Sequence, residues 1–223
     1  MADWSAFPGL LDRALAVQQP QVDLTLRLAR ARSDRTPAQV VTVLERTYLT
    51  TVTAAGASVG ASAAAPVVGT GLAVALGGGE LAFSLNAAVL HALAVAAVHG
   101  VRPDEVDRRR LLVLAVLGGA RGTAIVEEAA GVVGGTWGAA AVRRIPAGQL
   151  LKVQRVLTQN AVTTFGAAQG RALWGKVLPF GFGAVLGGVG NALVARSVIA
   201  NVREALGDPP ETWPAPPVPP REV

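Results

Sequence analysis

The sequence of 223 residues contains no cysteine and few aromatic or charged side chains. Without cysteine the chain can form neither disulfides nor thiolate sites for zinc or iron–sulfur clusters. Aromatic residues make up 4% and charged residues 16% of the sequence, whereas about a quarter of the residues of an average soluble domain are charged. The hydrophobic 51% is mostly Ala, Val and Leu, and 26 glycines accompany it. This composition favours closely packed helices over a β-sandwich.

Sequence motifs for catalysis are also scarce. The chain has no phosphate-binding GxxxxGK loop and no pair of catalytic carboxylates. Residues 56–60, GASVG, match the G-x-S-x-G of hydrolases, but their Ala- and Thr-rich surroundings lack the strand that must precede the serine. We therefore predict a protein that is not an enzyme and that has no catalytic residue, bound metal or cofactor.

The start of the sequence indicates on which side of a membrane the N-terminus is expected. The first residues carry Asp3 and no basic patch ahead of an apolar run. Such a start does not predict a secretory signal, so we expect the N-terminus on the cytoplasmic side.

Acidic residues are absent from 129–203, while eight Lys and Arg residues lie there. A field of one sign favours an anionic partner. Nucleic acid is disfavoured, because no aromatic stacking pattern and no helix-turn-helix signature accompanies the bases. We predict contact with anionic membrane lipids or a membrane protein complex, with a solvated helix face as the open alternative. The residues predicted to contact the anionic surface are Arg143, Arg144, Lys152, Arg155 and Lys176.

The periodicity of apolar residues predicts an all-α protein, a glycine-rich helical bundle with apolar hairpins. We expect amphipathic helices within residues 1–36, a helical domain at 37–207 and a disordered proline-rich tail at 208–223. The N-terminal region should hold two short helices, at 7–19 and 22–32, with four leucines on their apolar sides. These are Leu11, Leu15, Leu24 and Leu28.

Two helix boundaries can be placed from local signals. Thr36 and Pro37 have the residue types of an N-cap and of the first helical position. Gly100 follows a long apolar segment and should end that helix in a left-handed conformation.

Two long stretches are nearly free of charge. Residues 47–101 contain Glu80 as their single formal charge, and residues 177–195 contain none. As a helix the second stretch would reach about 28 Å, close to the thickness of a hydrocarbon core. Three arrangements stay open: hairpins that span a membrane, helices embedded in one face of it, and a soluble bundle with an apolar interior. We expect the protein at the cytoplasmic face of the cell membrane or integral to it, with the cytoplasm as the alternative.

Glycines recur at a spacing of four, which exposes backbone along one stripe of a helix. Such stripes permit close helix contacts, within one chain or between two copies in a homo-oligomer. The pairs are Gly56/Gly60, Gly118/Gly122, Gly131/Gly135, Gly134/Gly138 and Gly183/Gly187.

Two polar residues stand in these apolar segments. A shift of 111 residues lays AVALGGGE, ending at Glu80, on AVLGGVGN, ending at Asn191. If buried, each side chain must find a partner, for instance the other one; the alternative is that both mark helix ends in water. His91 and His99 are two helical turns apart and could form a stripe with Glu80, although imidazoles without nearby carboxylates make a poor metal site.

Two stretches carry a resemblance to a known family: IPAGQLLKVQRVLTQNAVTTFGAAQGRALWGKVLPFGFGAVLGGVGNALVARSVIANVREAL, and upstream GGGELAFSLNAAVLHALAVAAVHGVRPDE. With them the chain resembles the EcsC family over roughly residues 40–206. The most specific part is Pro179, Gly183, Gly187 and Asn191 together. Where the family has an acid-bearing helix start and a tyrosine before the terminal glycine, this chain has a GGG run and His99.

The resemblance implies an α-helical, membrane-associated bacterial protein without an established catalytic activity. The family is named for a bacterial protein encoded beside an ABC-type exporter. We accordingly expect a non-enzymatic scaffold or accessory partner of a membrane complex. The alternative is a soluble helical bundle that binds a protein partner or an apolar ligand.

Overall fold

A computed structural model describes residues 7–31, 34–63, 70–101, 105–132, 141–142, 144–174 and 182–214; within them, the side chains at 17–19, 59–63, 70–78 and 170–174 and at 182–187 are not considered. The described part is all-helical and contains no strand, which confirms the predicted fold class. Its helices are α1 (Phe7–Ala29), α2 (Pro37–Ala63), α3 (Thr70–Val98), α4 (Val106–Leu117), α5 (Gly119–Ala130), α6 (Ala147–Trp174) and α7 (Phe182–Leu206).

The N-terminal region is one helix and not the two that we predicted. α1 runs through Pro20, whose ring removes one backbone hydrogen bond without ending the helix. Because α1 is a single helix, it has one buried face along its whole length. Val22 and Leu26 lie on the same buried face as Leu11. Leu24 and Leu28 were therefore assigned wrongly: 54% and 66% of their surfaces are exposed.

Both predicted helix boundaries are confirmed. The Thr36 Oγ1 accepts a hydrogen bond from the Gln39 backbone N–H at 3.3 Å, and the Gln39 side chain accepts one from the Thr36 N–H at 3.0 Å. These reciprocal bonds form a capping box at the start of α2. Gly100 has a φ of 75° after the last turn of α3. The Val101 N–H donates a hydrogen bond of 2.8 Å to the carbonyl of Ala96, five residues earlier, as in a Schellman motif.

α3 is the central helix of the bundle. Every residue from 91 to 98 is buried, so this part of the helix is covered on all sides by protein. One helical stretch of the described chain, Gly79–Val98, has the length and hydropathy to cross a membrane, with a mean hydropathy of 2.0, but 67% of its most apolar window is buried inside the protein. A core helix of a soluble bundle has the same properties.

α2 runs antiparallel to both α3 and α7. At one end the guanidinium of Arg203 on α7 binds the Glu45 carboxylate on α2 through two hydrogen bonds of 2.7 and 2.6 Å. Further along, Asn191 on α7 contacts the Val52 carbonyl on α2 at 3.2 Å. Residue numbers thus decrease along α7 in the direction in which they increase along α2. The last turns of α2 therefore lie beside the first turns of α7.

α4 and α5 meet at a corner made of glycine. A Cβ added to Gly122 would overlap the carbonyl oxygen of Ala115 on α4. The neighbouring carbonyl of Gly118 accepts a hydrogen bond of 3.0 Å from the Asn160 amide on α6. α4, α5 and α6 therefore meet at Gly118 and Gly122, which lie at the junction of α4 and α5 and not along one helix as the spacing predicted.

The start of the proline-rich tail packs on the bundle, contrary to the predicted disorder. The Trp213 indole N–H donates to the Arg35 carbonyl at 3.2 Å, and the Arg30 guanidinium lies 3.4 Å from the centre of the indole ring. A side chain built at Gly100 would come within 3.0 Å of the Pro214 Cβ. Sequence composition missed this because one tryptophan can anchor a segment of otherwise disordered composition. The remainder of the tail, 215–223, lies outside the described residues.

The glycine corner predicts opposite effects for two Gly→Ala substitutions. Gly122→Ala should lower the free energy of unfolding by about 2–3 kcal/mol, because the new methyl group overlaps the Ala115 backbone. Gly148→Ala is the matched control: it lies in the first turn of α6 with open space around it and should raise stability by about 0.5 kcal/mol. Urea unfolding measures both. Equal effects of the two substitutions would contradict a close backbone contact at Gly122.

Candidate functional site

Glu80 and Asn191, the two polar residues of the apolar segments, are in direct contact. The Asn191 Nδ2 donates a hydrogen bond of 2.7 Å to the Glu80 Oε1 on α3 and a second of 3.2 Å to the Val52 carbonyl on α2. Glu80 and Asn191 are 5% and 1% exposed. The interpretation of both residues as helix ends in water is therefore wrong, and each has the other as a partner.

A second polar pair lies next to this one. The Gln169 Nε2 on α6 donates to the Ser84 Oγ on α3 at 2.5 Å, and both side chains are buried. Ser84 is one helical turn after Glu80. We call Glu80, Ser84, Gln169 and Asn191 the polar layer. It joins side chains of α3, α6 and α7 and a carbonyl of α2. It therefore fixes the positions of these four helices relative to one another along the bundle axis.

Three helix ends lie together on one side of the polar layer. We call them the apolar ends: residues 53–63 of α2, 70–79 of α3 and 182–190 of α7. None of these residues is charged. Each end contains nine to eleven residues and extends about 14–16 Å at 1.5 Å per residue. This length corresponds to about half of a 30 Å hydrocarbon core.

Exposed apolar side chains surround the polar layer. Phe83, between Glu80 and Ser84 on α3, is 42% exposed. Val189 and Leu193, on either side of Asn191, are 51% and 60% exposed. Exposed apolar side chains are therefore present at the level of the layer on α3 and α7.

Two exposed cations lie on the other side of the polar layer. Arg46 precedes Val52 by six residues on α2, and Arg196 follows Asn191 by five on α7, so each is about 8–9 Å from the layer along its helix. Together with Glu45 and Arg203 they line an open groove of about 620 Å³.

The cations that we predicted as surface contacts lie elsewhere. Lys152 and Arg155 are exposed near the start of α6, about 20–25 Å along the helix from Gln169 and hence far from the apolar ends. Arg144, also exposed, precedes α6. The remaining two, Arg143 and Lys176, lie outside the described residues.

His91 stacks on Tyr48, a partner that the sequence did not suggest. Their ring centres are 4.6 Å apart and the ring planes differ by 7°. Both residues are buried, and among the described residues neither the His91 ring nitrogens nor the Tyr48 hydroxyl has a hydrogen-bond partner. Burial lowers the pKa of His91 to about 3 and raises the pKa of Tyr48 above its ordinary value. His91 is therefore neutral at physiological pH.

The structure does not assemble the Glu80/His91/His99 stripe. Glu80 contacts Asn191, His91 stacks on Tyr48, and the His99 ring lies against the Val95 and Gly207 carbonyls at 2.9 and 3.3 Å. Within the described ranges no three His, Asp or Glu side chains are grouped to hold a metal ion.

The structure describes three of the four residues that are the most specific part of the resemblance to the EcsC family. Gly183 and Gly187 lie in the first two turns of α7, and Asn191 follows one turn later. Pro179 lies outside the described residues. Comparisons with protein families, with curated proteins and with solved structures found no match.

The polar layer predicts a large cost for removing its amide. Asn191→Leu should lower the free energy of unfolding by about 3 kcal/mol, because it removes donors from the buried Glu80 and from the Val52 carbonyl. Ser197→Leu, at an exposed position of the same helix, should change it by less than about 0.5 kcal/mol. Chemical denaturation of both variants is the measurement. If Asn191→Leu unfolds like Ser197→Leu, the amide does not hold the helices together.

Burial of neutral His91 predicts acid sensitivity. The unfolded chain takes up a proton on His91 below its ordinary pKa of 6.5, whereas the folded protein does so only near pH 3. Stability is therefore complete above pH 6.5 and declines as the pH falls, by about 1.4 kcal/mol per unit.

Between about pH 7 and pH 5 the contribution of His91 should decrease by about 2 kcal/mol. Urea unfolding at the two pH values tests this in wild type and in His91→Leu. Between these pH values the free energy of unfolding of His91→Leu should fall by about 2 kcal/mol less than that of wild type. An unchanged pH dependence in His91→Leu would assign the acid sensitivity to other groups.

Proposed function

We propose that the protein is a non-enzymatic, membrane-associated helical protein that inserts its apolar ends into one leaflet. In this arrangement it serves as a scaffold or accessory partner of a membrane complex at the cytoplasmic face. The observation that carries the proposal is the uncharged composition of three helix ends on the same side of the polar layer.

The length of the apolar ends supports insertion into one leaflet. They extend about 14–16 Å, which matches half of the hydrocarbon core and not all of it. The stretch most able to span, Gly79–Val98, has 67% of its most apolar window covered by protein, which leaves little of it to contact lipid. Insertion of helix ends therefore agrees better with the packing than a spanning hairpin does.

The side chains near the polar layer support a position at the lipid boundary. Phe83, Val189 and Leu193 would contact acyl chains beside the layer. Arg46 and Arg196, about 8–9 Å away on the side opposite the apolar ends, would meet anionic head groups. An apolar surface followed by exposed cations is typical of proteins that bind one face of a membrane.

The partner complex is inferred from the resemblance of roughly residues 40–206 to the EcsC family. Glycine stripes such as Gly183/Gly187 would permit helix contacts with that complex or with a second copy. Binding of a soluble protein by a free bundle is the competing function, and it requires no lipid.

Vesicle flotation tests the membrane proposal. The protein should float with vesicles of phosphatidylcholine and phosphatidylglycerol, and less with phosphatidylcholine alone. Leu72→Glu combined with Val185→Glu places charges in the apolar ends of α3 and α7 and should abolish flotation, since a charge near the bilayer centre costs about 2.5–3.5 kcal/mol.

Leu151→Glu is the matched control for these substitutions. Leu151 is 74% exposed near the start of α6, about 27 Å along the helix from Gln169, so this variant should float like wild type. Circular dichroism should show all variants folded. Wild-type protein that stays in the soluble fraction with both kinds of vesicle, or a double variant that still floats, would contradict insertion and favour the soluble bundle.

A further inference from the structure

The open groove between α2 and α7 is the most strongly charged concave surface of the described residues. It has a volume of about 620 Å³ and is lined by Arg46, Arg196, Arg203 and Glu45. Three guanidinium groups and one carboxylate give these walls a formal charge of +2. Among the described residues, neither Arg46 nor Arg196 forms an ion pair. Two cations of the groove are therefore available to an anionic ligand.

Arg46 and Arg196 lie at nearly the same level along the bundle axis. Asn191 on α7 contacts Val52 on α2, and the two arginines lie on the same side of this contact, five and six residues away. These separations correspond to about 8 and 9 Å of helix axis. Both arginines line the groove from neighbouring helices, so their long side chains can converge on one anion.

Arg203 adds a third guanidinium, which Glu45 holds in place. Its Nε and one of its Nη nitrogens donate hydrogen bonds of 2.7 and 2.6 Å to the Glu45 carboxylate, and Glu45 precedes Arg46 directly on α2. A guanidinium has five N–H donors, so three remain after these two bonds. The Arg203 side chain is 66% exposed, which leaves the remaining donors within reach of a ligand.

Apolar side chains lead from the groove toward the apolar ends. Leu49 and Ile199 line the groove itself. Leu193 and Val189 precede Arg196 by three and seven residues and therefore lie on the same face of α7. They are 60% and 51% exposed. An anion bound at Arg196 thus has a hydrocarbon surface beside it, on the side that faces the apolar ends.

We propose that this groove binds a phosphate monoester, and that the phosphate is the head group of a lipid, phosphatidic acid. The lipid source rests on the proposed membrane function, whereas the site rests on the three arginines. A phosphate monoester carries about −1.5 to −2 charges at pH 7, which matches the formal charge of the walls. Its terminal oxygens accept charge-assisted hydrogen bonds from several guanidinium groups at once. The phosphodiester of phosphatidylglycerol has a single charge and fewer terminal oxygens, so it fits less well.

Isothermal titration calorimetry of the full chain with soluble dihexanoyl phosphatidic acid, below the concentration at which it forms micelles, tests the proposal. One molecule should bind per protein. Dihexanoyl phosphatidylglycerol should bind at least about fivefold more weakly, because it lacks the second charge. Glycerol 3-phosphate has the same phosphate monoester without acyl chains and should bind at least about tenfold more weakly, since it forms no contact with Leu193 and Val189.

Two double variants with the same loss of charge separate the groove from general attraction to a basic protein. Arg46→Gln combined with Arg196→Gln should weaken binding of dihexanoyl phosphatidic acid at least about tenfold. Lys152→Gln combined with Arg155→Gln is the matched control, at exposed positions near the start of α6, and should bind like wild type. Circular dichroism should show both double variants folded.

Four results would overturn the proposal: no saturable binding of dihexanoyl phosphatidic acid, equal binding of the phosphatidylglycerol, equal binding of glycerol 3-phosphate, or equal weakening by the two double variants. Equal binding of glycerol 3-phosphate would assign the groove to soluble phosphate esters.

Vesicle flotation distinguishes failure of this proposal from failure of membrane insertion. Wild-type protein that floats with phosphatidylglycerol vesicles but does not bind dihexanoyl phosphatidic acid would contradict the groove alone. Wild-type protein that binds dihexanoyl phosphatidic acid but stays in the soluble fraction would contradict insertion and support the groove. Leu72→Glu combined with Val185→Glu should still bind the soluble lipid like wild type, because the groove and the apolar ends lie on opposite sides of the polar layer.

Discussion

The amide of Asn191 is the constraint on which the arrangement of the helices depends. It uses one hydrogen for the Val52 carbonyl and the other for the Glu80 carboxylate, so one side chain joins α2, α3 and α7. A carboxylate is tolerated in an apolar interior only where donors reach it. This requirement fixes the position of Glu80 along the bundle axis. It thereby places residues 70–79 of α3 beside the uncharged ends of α2 and α7. The separation of the uncharged ends of α2, α3 and α7 from Arg46 and Arg196 follows from that contact.

Bidentate pairing of Arg203 with Glu45 completes the same alignment from the opposite end of α7. Beyond the Asn191 contact, within the apolar ends, the two helices pack closely at Gly188, where an added Cβ would lie at an ordinary 3.4 Å from that of Ala57. Two polar contacts more than ten residues apart on one helix fix both register and direction. A bundle of Ala, Val and Gly, which has few large side chains to define a unique packing, needs such contacts more than an aromatic core does.

Local signals in the sequence predicted the features that depend on local physics. Thr36 and Gly100 specify helix ends through bonds within a few residues. The cost of unpaired buried polar groups made a contact between Glu80 and Asn191 one of the alternatives that the sequence left open. The continuity of α1 through Pro20, the outward Leu24 and Leu28, and the position of Trp213 depend on which neighbour covers each surface. Pairing of Tyr48 with His91 joins positions far apart in the chain, and neither residue carries a local sign of the other. Membrane insertion stays a prediction, because a buried apolar helix and a spanning one share a composition.

The contact between Gly100 and Pro214 places the last described residue of the chain at one end of α3. Gly100 is twenty residues after Glu80 on or just past α3, which places it about 30 Å from the polar layer. In the inserted orientation Pro214 would therefore lie well above the lipid head groups, in bulk water. A fluorescent group attached there would report on the aqueous side, and its emission would be insensitive to quenchers dissolved in the acyl region.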